Sequence, residues 1–296
     1  MEWLVADISK YQKKIDFKKF KASNLKGCII RLGYRGYASS GTLVTDEYFK
    51  EYIKSCNDND IPFGVYFFSQ AKTVAEAIEE ADYTIKTLEA TGYKPLFPIY
   101  IDTEKSSHPL GMGRADKLTK AERTKVVKAF CDRVEELGYY AGIYASTYWF
   151  RDNLNDSELT KYDHWVADYR GYCGYKGNYG MWQFSSTVKY SFVSGTSGKM
   201  DTNKCYRDYP SIIKKRGLNG WKVEEPIKLE VFETSKMIDE ATYKKFKTLA
   251  DTLKVGIIPT EHKYYTFETS EMSKGDIEKF RNLAVSTVTE FTIKEK

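Results

Sequence analysis

The sequence predicts an α/β protein in which a parallel sheet closes into a barrel, with a small α+β unit behind it. Three observations carry this reading. Apolar strand-like runs alternate five times with helix-like stretches before the pattern shifts to short strands and loops, which suits a parallel barrel or a doubly wound sheet. Acids stand at the ends of several strands (Asp7, Asp102 with Glu104, and Asp201), and only a closed sheet lets them converge, so the barrel is preferred; barrel sites lie at the C-terminal strand ends. Beyond a linker the chain repeats itself: Phe232-Glu-Thr-Ser-Lys-Met returns as Phe267-Glu-Thr-Ser-Glu-Met, and Lys245-Phe-Lys-Thr-Leu-Ala as Lys279-Phe-Arg-Asn-Leu-Ala.

The elements follow in order. WLVADI (3–8) is a short strand with the inward phase Trp3, Val5, Asp7. After a helix-like stretch, GCIIRLGY (27–34) is a continuous apolar strand of the kind buried on both faces. A charged helix is expected from Thr45 to Asn59, then a strand at PFGVYFFS (62–69). Thr73-Val-Ala-Glu76 and Thr119-Lys-Ala-Glu122 have the capping-box pattern and open helices to about Thr91 and Leu137. Between them lies LFPIYIDTE (96–104), read as one strand: Tyr100, Asp102 and Glu104 on one face, Phe97, Ile99 and Ile101 on the other. Pro98 within it predicts a bulge or irregular pairing. A Gly-rich loop (Gly111, Gly113) follows, and YYAGIYA (139–145), HWVADY (164–169), GMWQFS (180–185) and the region around KMDTNK (199–204) complete the series.

We place the barrel at 1–217, a linker at 218–224 and the repeat unit at 225–296. The repeat predicts βαββαβ: strand 227–233, helix 239–253, strands 254–258 and 263–268, helix 274–286, strand 288–294. One half alone could not bury its apolar helix face, so the two should form one compact unit.

A chain of 296 residues accommodates one barrel-sized domain and a small one. With 42% hydrophobic residues it is globular, and 24 Tyr supply flat rings with polar tips, suited to sugar faces as well as to packing. Net charge is +5; residues 221–296 hold 13 Lys and Arg against 14 Asp and Glu, so the first 220 carry a net +6. That excess suits a polyanionic surface but is too scattered for a nucleic-acid footprint. No basic start followed by an apolar run opens the chain and no ~18-residue apolar segment occurs, so neither a signal peptide nor membrane insertion is expected. The five Cys (28, 56, 131, 173, 205) are odd in number and lack C-x-x-C, which argues for reduced thiols. His108, His164 and His262 show no ligand spacing, so no metal or other cofactor is expected.

Two acids on one strand face suit glycosidic cleavage, which needs one carboxyl to protonate the leaving oxygen and a second to stabilise the sugar cation. Spacing alone is unspecific: Asp58/Asp60, Glu80/Asp82, Asp156/Glu158 and Asp276/Glu278 share it, in patterns that read as solvated surface.

Eight segments in order give the pair its context: ADISKYQ (6–12), GCIIRLGY (27–34), FGVYFFSQA with EAIEEADY (63–83), PIYIDTE (98–104), YAGIYAS (140–146), WVADY (165–169), MWQFSS (181–186) and GKMDTN (198–203). In these, roughly residues 1–215 resemble the glycoside hydrolase family 25 muramidases, in particular bacteriophage endolysins with a separate wall-binding domain. Two positions depart from the pattern: Phe67 stands where many members have histidine, and the last motif reads MDTN instead of VDLN. The resemblance implies an irregular (β/α)5(β)3 barrel and hydrolysis of the β-1,4 bond between N-acetylmuramic acid and N-acetylglucosamine in bacterial peptidoglycan. It implies Glu104 as catalytic acid, Asp102 as the carboxylate that orients the substrate's N-acetyl group or stabilises the cation, and Asp7 and Asp201 as flanking acids. Tyr66, Phe68, Tyr144, Tyr169, Trp182, Gln183 and Arg31 are the candidate substrate contacts. An endolysin would stay in the host cytoplasm until the membrane is breached and then reach the wall, with residues 225–296 binding a wall ligand or self-associating. The alternative is a wall-binding protein on a barrel that has lost catalysis.

Overall fold

The computed structural model describes residues 2–37, 41–106, 113–223, 230–234, 239–259, 267–269, 273–286 and 291–295. They fall into two compact units, Met1–Glu224 and Glu225–Lys296.

The first unit runs β1 (Trp3–Ile8), α1 (Phe17–Ala22), β2 (Leu25–Arg35), β3 (Leu43–Thr45), α2 (Phe49–Asp58), β4 (Phe63–Phe68), α3 (Val74–Glu89), β5 (Ile99–Asp102), α4 (Lys120–Glu136), β6 (Ala141–Ser146), α5 (Thr147–Asn153), β7 (Asp163–Ala167), β8 (Met181–Lys189), β9 (Lys199–Cys205) and α6 (Tyr209–Arg216). Eight strands close in the order β1-β2-β4-β5-β6-β7-β8-β9, with β9 returning antiparallel to β1 and the others parallel. Five strand–helix units closed by three further strands is the expected barrel. β3 is an arm paired antiparallel to the end of β2. It occupies the start of the expected 45–59 helix, which begins only at Phe49.

Strand alternation divides the core. Ile30, Val65, Phe67, Ile99, Ile101, Ile143 and Val166 face outward onto buried helix residues such as Phe49, Ala81 and Phe130. Val5, Ile29, Tyr100, Trp165 and Met181 fill the barrel interior. Gly142 makes room there: a Cβ on it would sit 2.4 Å from Cε1 of Tyr100.

Five expectations need correction. β5 begins after Pro98, so the proline forfeits no ladder bond, and the register shifts fall instead between β1 and β2, between β2 and β4 and between β8 and β9. Phe97, outside the strand, joins the interior cluster instead of the outer layer of Ile99 and Ile101. The expected linker starts inside the barrel unit: buried Asn219 accepts from the Tyr140 N–H (2.8 Å) and donates to the Pro95 and Phe97 carbonyls, capping the barrel end away from the acids. Glu80 is fully buried, not solvated; Arg35 holds it at 2.8 Å and the Ser69 hydroxyl at 2.6 Å. Of the two capping boxes, Thr119/Glu122 forms in full, whereas Glu76 spends its carboxylate on the Lys72 N–H and Arg114.

The second unit contains β10 (Glu230–Thr234), α7 (Glu240–Leu253), β11 (Ile257–Pro259), β12 (Phe267–Thr269), α8 (Lys274–Ser286) and β13 (Phe291–Glu295). Its sheet is antiparallel in the order β11-β12-β10-β13, the arrangement expected of two βαβ halves. Phe246 of α7 stacks on Phe280 of α8 at 6.0 Å, and Ala250, Ile277 and Ala284 complete the buried seam. The strand portions expected at 227–229, 263–266 and 288–290 lie outside the described residues, as do Gly111, His108 and His262.

Candidate active site

The inward phase that fills the barrel with Tyr100 and Trp165 also sets the chemistry at its C-terminal end. Moving up the same faces, Val5 is followed by Asp7, Ile29 by Arg31, Tyr100 by Asp102, and Met181 by Gln183. β9 runs the other way, so its early residues reach the same end, and Asp201 stands directly opposite Asp7 in the register. Glu104 lies two residues past the end of β5. Its segment is fastened by the Thr103 N–H to the Tyr144 carbonyl (3.1 Å), by Trp149 Nε1 to Thr103 Oγ1 (3.2 Å), and by the Ser106 N–H to Asp116 (3.0 Å).

Arg31, Asp102, Glu104 and Asp201 border a cleft of about 590 Å³. At its bottom is a pit of about 90 Å³ walled by Asp7, Tyr66, Asp102, Glu104, Tyr144, Trp165, Gln183 and Asp201. All four expected acids therefore converge on one space, although they come from three strands and a loop.

Their environments differ. Asp7 is buried and accepts from Asn203 Nδ2 (2.8 Å) and Gln183 Nε2 (3.0 Å). Burial, reinforced by the Asp201 charge, nevertheless holds its carboxyl well above the ordinary range, against the pull of those two amides. Asp102 is raised by burial and then by Glu104, while the Arg31 guanidinium acts the other way. Its Oδ1 is buried with no hydrogen-bond partner among the described residues. Asp201 is raised by burial. Glu104 reaches solvent at the mouth, yet the surrounding walls, helped by the Asp201 charge, push it up to about 7. Four carboxyls this close cannot all ionise at neutral pH, so the cluster retains protons there, and Glu104 at the mouth is the member placed to pass one to a substrate.

Among the expected contacts, Tyr144 and Tyr169 donate to Gln183 Oε1 (2.8 and 2.5 Å), which in turn orients Asp7. Tyr66 and Phe68 line the cleft, and burial keeps the Tyr66 phenol well above its ordinary range. Arg31 also lines it, tied to Asp46 through Nε and a terminal nitrogen, both at 2.7 Å. Trp182 does not reach the site. Being adjacent to inward-facing Gln183 on β8, it points outward, packs against Phe184 and donates to the Asp168 carbonyl (2.8 Å). Phe67 likewise points outward, toward Tyr83, so that departure from the motif lies outside the cleft.

Four residues escaped the sequence reading. Asn203 donates to both Asp7 and the Val5 carbonyl (2.9 Å) and accepts from Trp165 Nε1 (2.7 Å), locking β9 to β1 and β7. The signal for Asn203 was period two, since it shares a strand face with Asp201. Tyr11, Tyr34 and Tyr37 add rings to the cleft, Tyr11 being 59% exposed. Among the described residues no group of three or more His, Cys, Asp and Glu side chains is arranged to hold a metal ion.

The family model of the glycosyl hydrolases family 25 matches residues 6–193. The chain belongs to glycosyl hydrolase family 25. Asp7, Asp102 and Glu104 of this family 25 chain lie within the matched stretch; Asp201 lies beyond it and joins them through the β1–β9 register. Comparison with curated proteins found no match. Among solved structures, the modular autolysin LytC from Streptococcus pneumoniae, in complex with a synthetic peptidoglycan ligand, is 25% identical with a TM-score of 0.62, over 69% of this chain and 47% of that one. This family 25 chain thus spans less than half of the autolysin. The CTP1L endolysin (21% identity, TM-score 0.58, 85% of this chain and 80% of that one) and the catalytic domain of endolysin ply40 from bacteriophage P40 of Listeria monocytogenes (22%, 0.56, 72% and 97%) share the fold.

Proposed function

We propose that this glycoside hydrolase is a muramidase that cleaves the β-1,4 bond between N-acetylmuramic acid and N-acetylglucosamine in bacterial peptidoglycan. The observation that carries the reading is the pit in which Glu104, held near pH 7, faces Asp102, Asp7 and Asp201. Protonated Glu104 donates to the leaving glycosidic oxygen. Once it holds that proton, the second cause of Asp102's elevation disappears and Arg31 favours the Asp102 carboxylate. Asp102, with its unpartnered oxygen, is then placed to stabilise the sugar cation or to orient the N-acetyl group. Asp7, clamped by Asn203 and Gln183, completes the negative wall with Asp201. The autolysin bound to a peptidoglycan ligand supports the substrate class. The test is digestion of purified peptidoglycan in excess chelator: new reducing ends on N-acetylmuramic acid are expected, whereas free amino groups would assign the protein to another chemistry.

We further infer that residues 225–296 tether the enzyme to the wall of a bacterium lysed from within, in the manner of a phage endolysin. Tethering would raise the effective concentration on an insoluble substrate. The compactness of that unit supports an independent role, and a fluorescent fusion of residues 221–296 should label susceptible cells. A concentration-dependent dimer without labelling would instead make it an assembly module.

A further inference from the structure

The cleft is electrically two-sided. Beyond the Asp7–Asp201 pair, the chain leaves β1 at Ile8 and reaches Lys10, three residues after Asp7, at the start of a 3-10 turn, and β9 arrives from Lys199, two residues before Asp201. Because the strands are antiparallel, both lysines come to the same rim above the acids, and both line the cleft. Their backbone is stitched in place: the Gly195 N–H donates to the Gln12 carbonyl (2.8 Å), the Ser194 N–H to Lys14 (3.0 Å), and the Lys10 N–H to Asp46 (3.1 Å).

The third cation of the cleft is committed, since Arg31 is engaged by Asp46. Lys10 and Lys199 are not: Lys10 is half-buried with its ammonium 5.8 Å from the Tyr11 ring, Lys199 is exposed, and neither is ion-paired among the described residues. Lys199 is also delivered by a costly turn. Thr196, Ser197 and Gly198 are successively left-handed (φ 50°, 56° and 80°), a conformation that disfavours the first two.

We propose that Lys10 and Lys199 form an anion-recognition pair that engages negatively charged substituents of the glycan strand next to the bond being cut. This rests on the muramidase reading and adds a specificity determinant to it. The shared chemistry is an oxyanion, either a carboxylate of the peptide stems or a phosphodiester of polymers attached to the wall. Charges on this scale act locally, within a screening length of about 8 Å, so the pair reads substituents at the cleft rather than the bulk charge of the wall.

The experiment compares the full chain with Lys10→Gln, Lys199→Gln and the double variant on three insoluble substrates. These are walls stripped of phosphate polymers, the same walls with carboxyls capped as methylamides, and walls that keep the polymers but have capped carboxyls. Exposed charge contacts each contribute a few-fold, so kcat/KM of the double variant should fall about 10-fold on a charged substrate while matching wild type on the neutral one. Loss on the first substrate assigns the anion as a stem carboxylate; loss on the third assigns a phosphodiester. Equal loss on all three, no loss on any, or a displaced pH profile on the neutral substrate would show that the lysines only balance the acids, and would overturn the proposal. If wild type releases no reducing ends from any wall, the muramidase reading fails, and binding of the same proteins to the sedimented substrates still decides the role of the pair.

Discussion

Asp7 and Asp201 face each other across the antiparallel register of β1 and β9, and that one pairing closes both the barrel and the acid cluster. The same two strands therefore supply the closing hydrogen bonds of the fold and two of the four carboxyls that wall the pit. Coupling between structure and chemistry at this seam makes several outcomes predictable.

Glu104→Gln should lower kcat on peptidoglycan by ~10²- to 10⁴-fold, because the amide keeps the shape and cannot donate the proton. Its melting temperature and wall sedimentation should match wild type. Asp102→Asn should be severe as well, and near-normal turnover in Glu104→Gln would contradict the assignment.

The alkaline limb of the kcat/KM profile should fall near pH 7, where Glu104 loses its proton. Its second cause of elevation is the Asp201 charge, so removing that charge lowers the Glu104 pKa and must move the limb toward acid. A pH–rate series on Asp201→Asn checks the sign; an alkaline displacement would rule out the proposed coupling.

Arg35→Met should destabilise the barrel by about 3–5 kcal/mol at pH 8, since it leaves the Glu80 carboxylate buried without its partner. Burial already raises Glu80 to about 7, against Ser69 and Arg35. A raised carboxyl favours the fold fully below its unfolded pKa and loses that contribution as pH rises through the folded value. The variant's deficit should accordingly shrink at pH 5, where Glu80 carries a proton, as urea unfolding at the two pH values would show.

Asn203→Leu should cost about 1–3 kcal/mol by stranding Trp165 Nε1, the Val5 carbonyl and one Asp7 lone pair together. Losing a donor that favours ionised Asp7 should also raise that carboxyl further. Denaturant unfolding, with carboxyl titration followed by NMR, separates the two effects.

How far the chain alone could be read follows from the range of the forces involved. Strand alternation and helix caps act over two to four residues, so the order of elements, the inward phase of Val5 and Asp7, and the full Thr119/Glu122 cap were legible locally. The motif run likewise marked Asp7, Asp102, Glu104 and Asp201, all of which reach the pit. Other features depended on partners far away in sequence. Glu80 read as surface because Arg35, 45 residues earlier, is invisible to a local pattern. Asn203 takes its meaning from Val5 and Asp7, nearly two hundred residues away. Trp182 looked like a sugar contact until Gln183 was seen to own the inward phase of β8, because an aromatic side chain carries no mark of which strand face will meet the substrate. Register is set only when β9 closes on β1, and closure is what turns four scattered acids into one site with a shared proton economy.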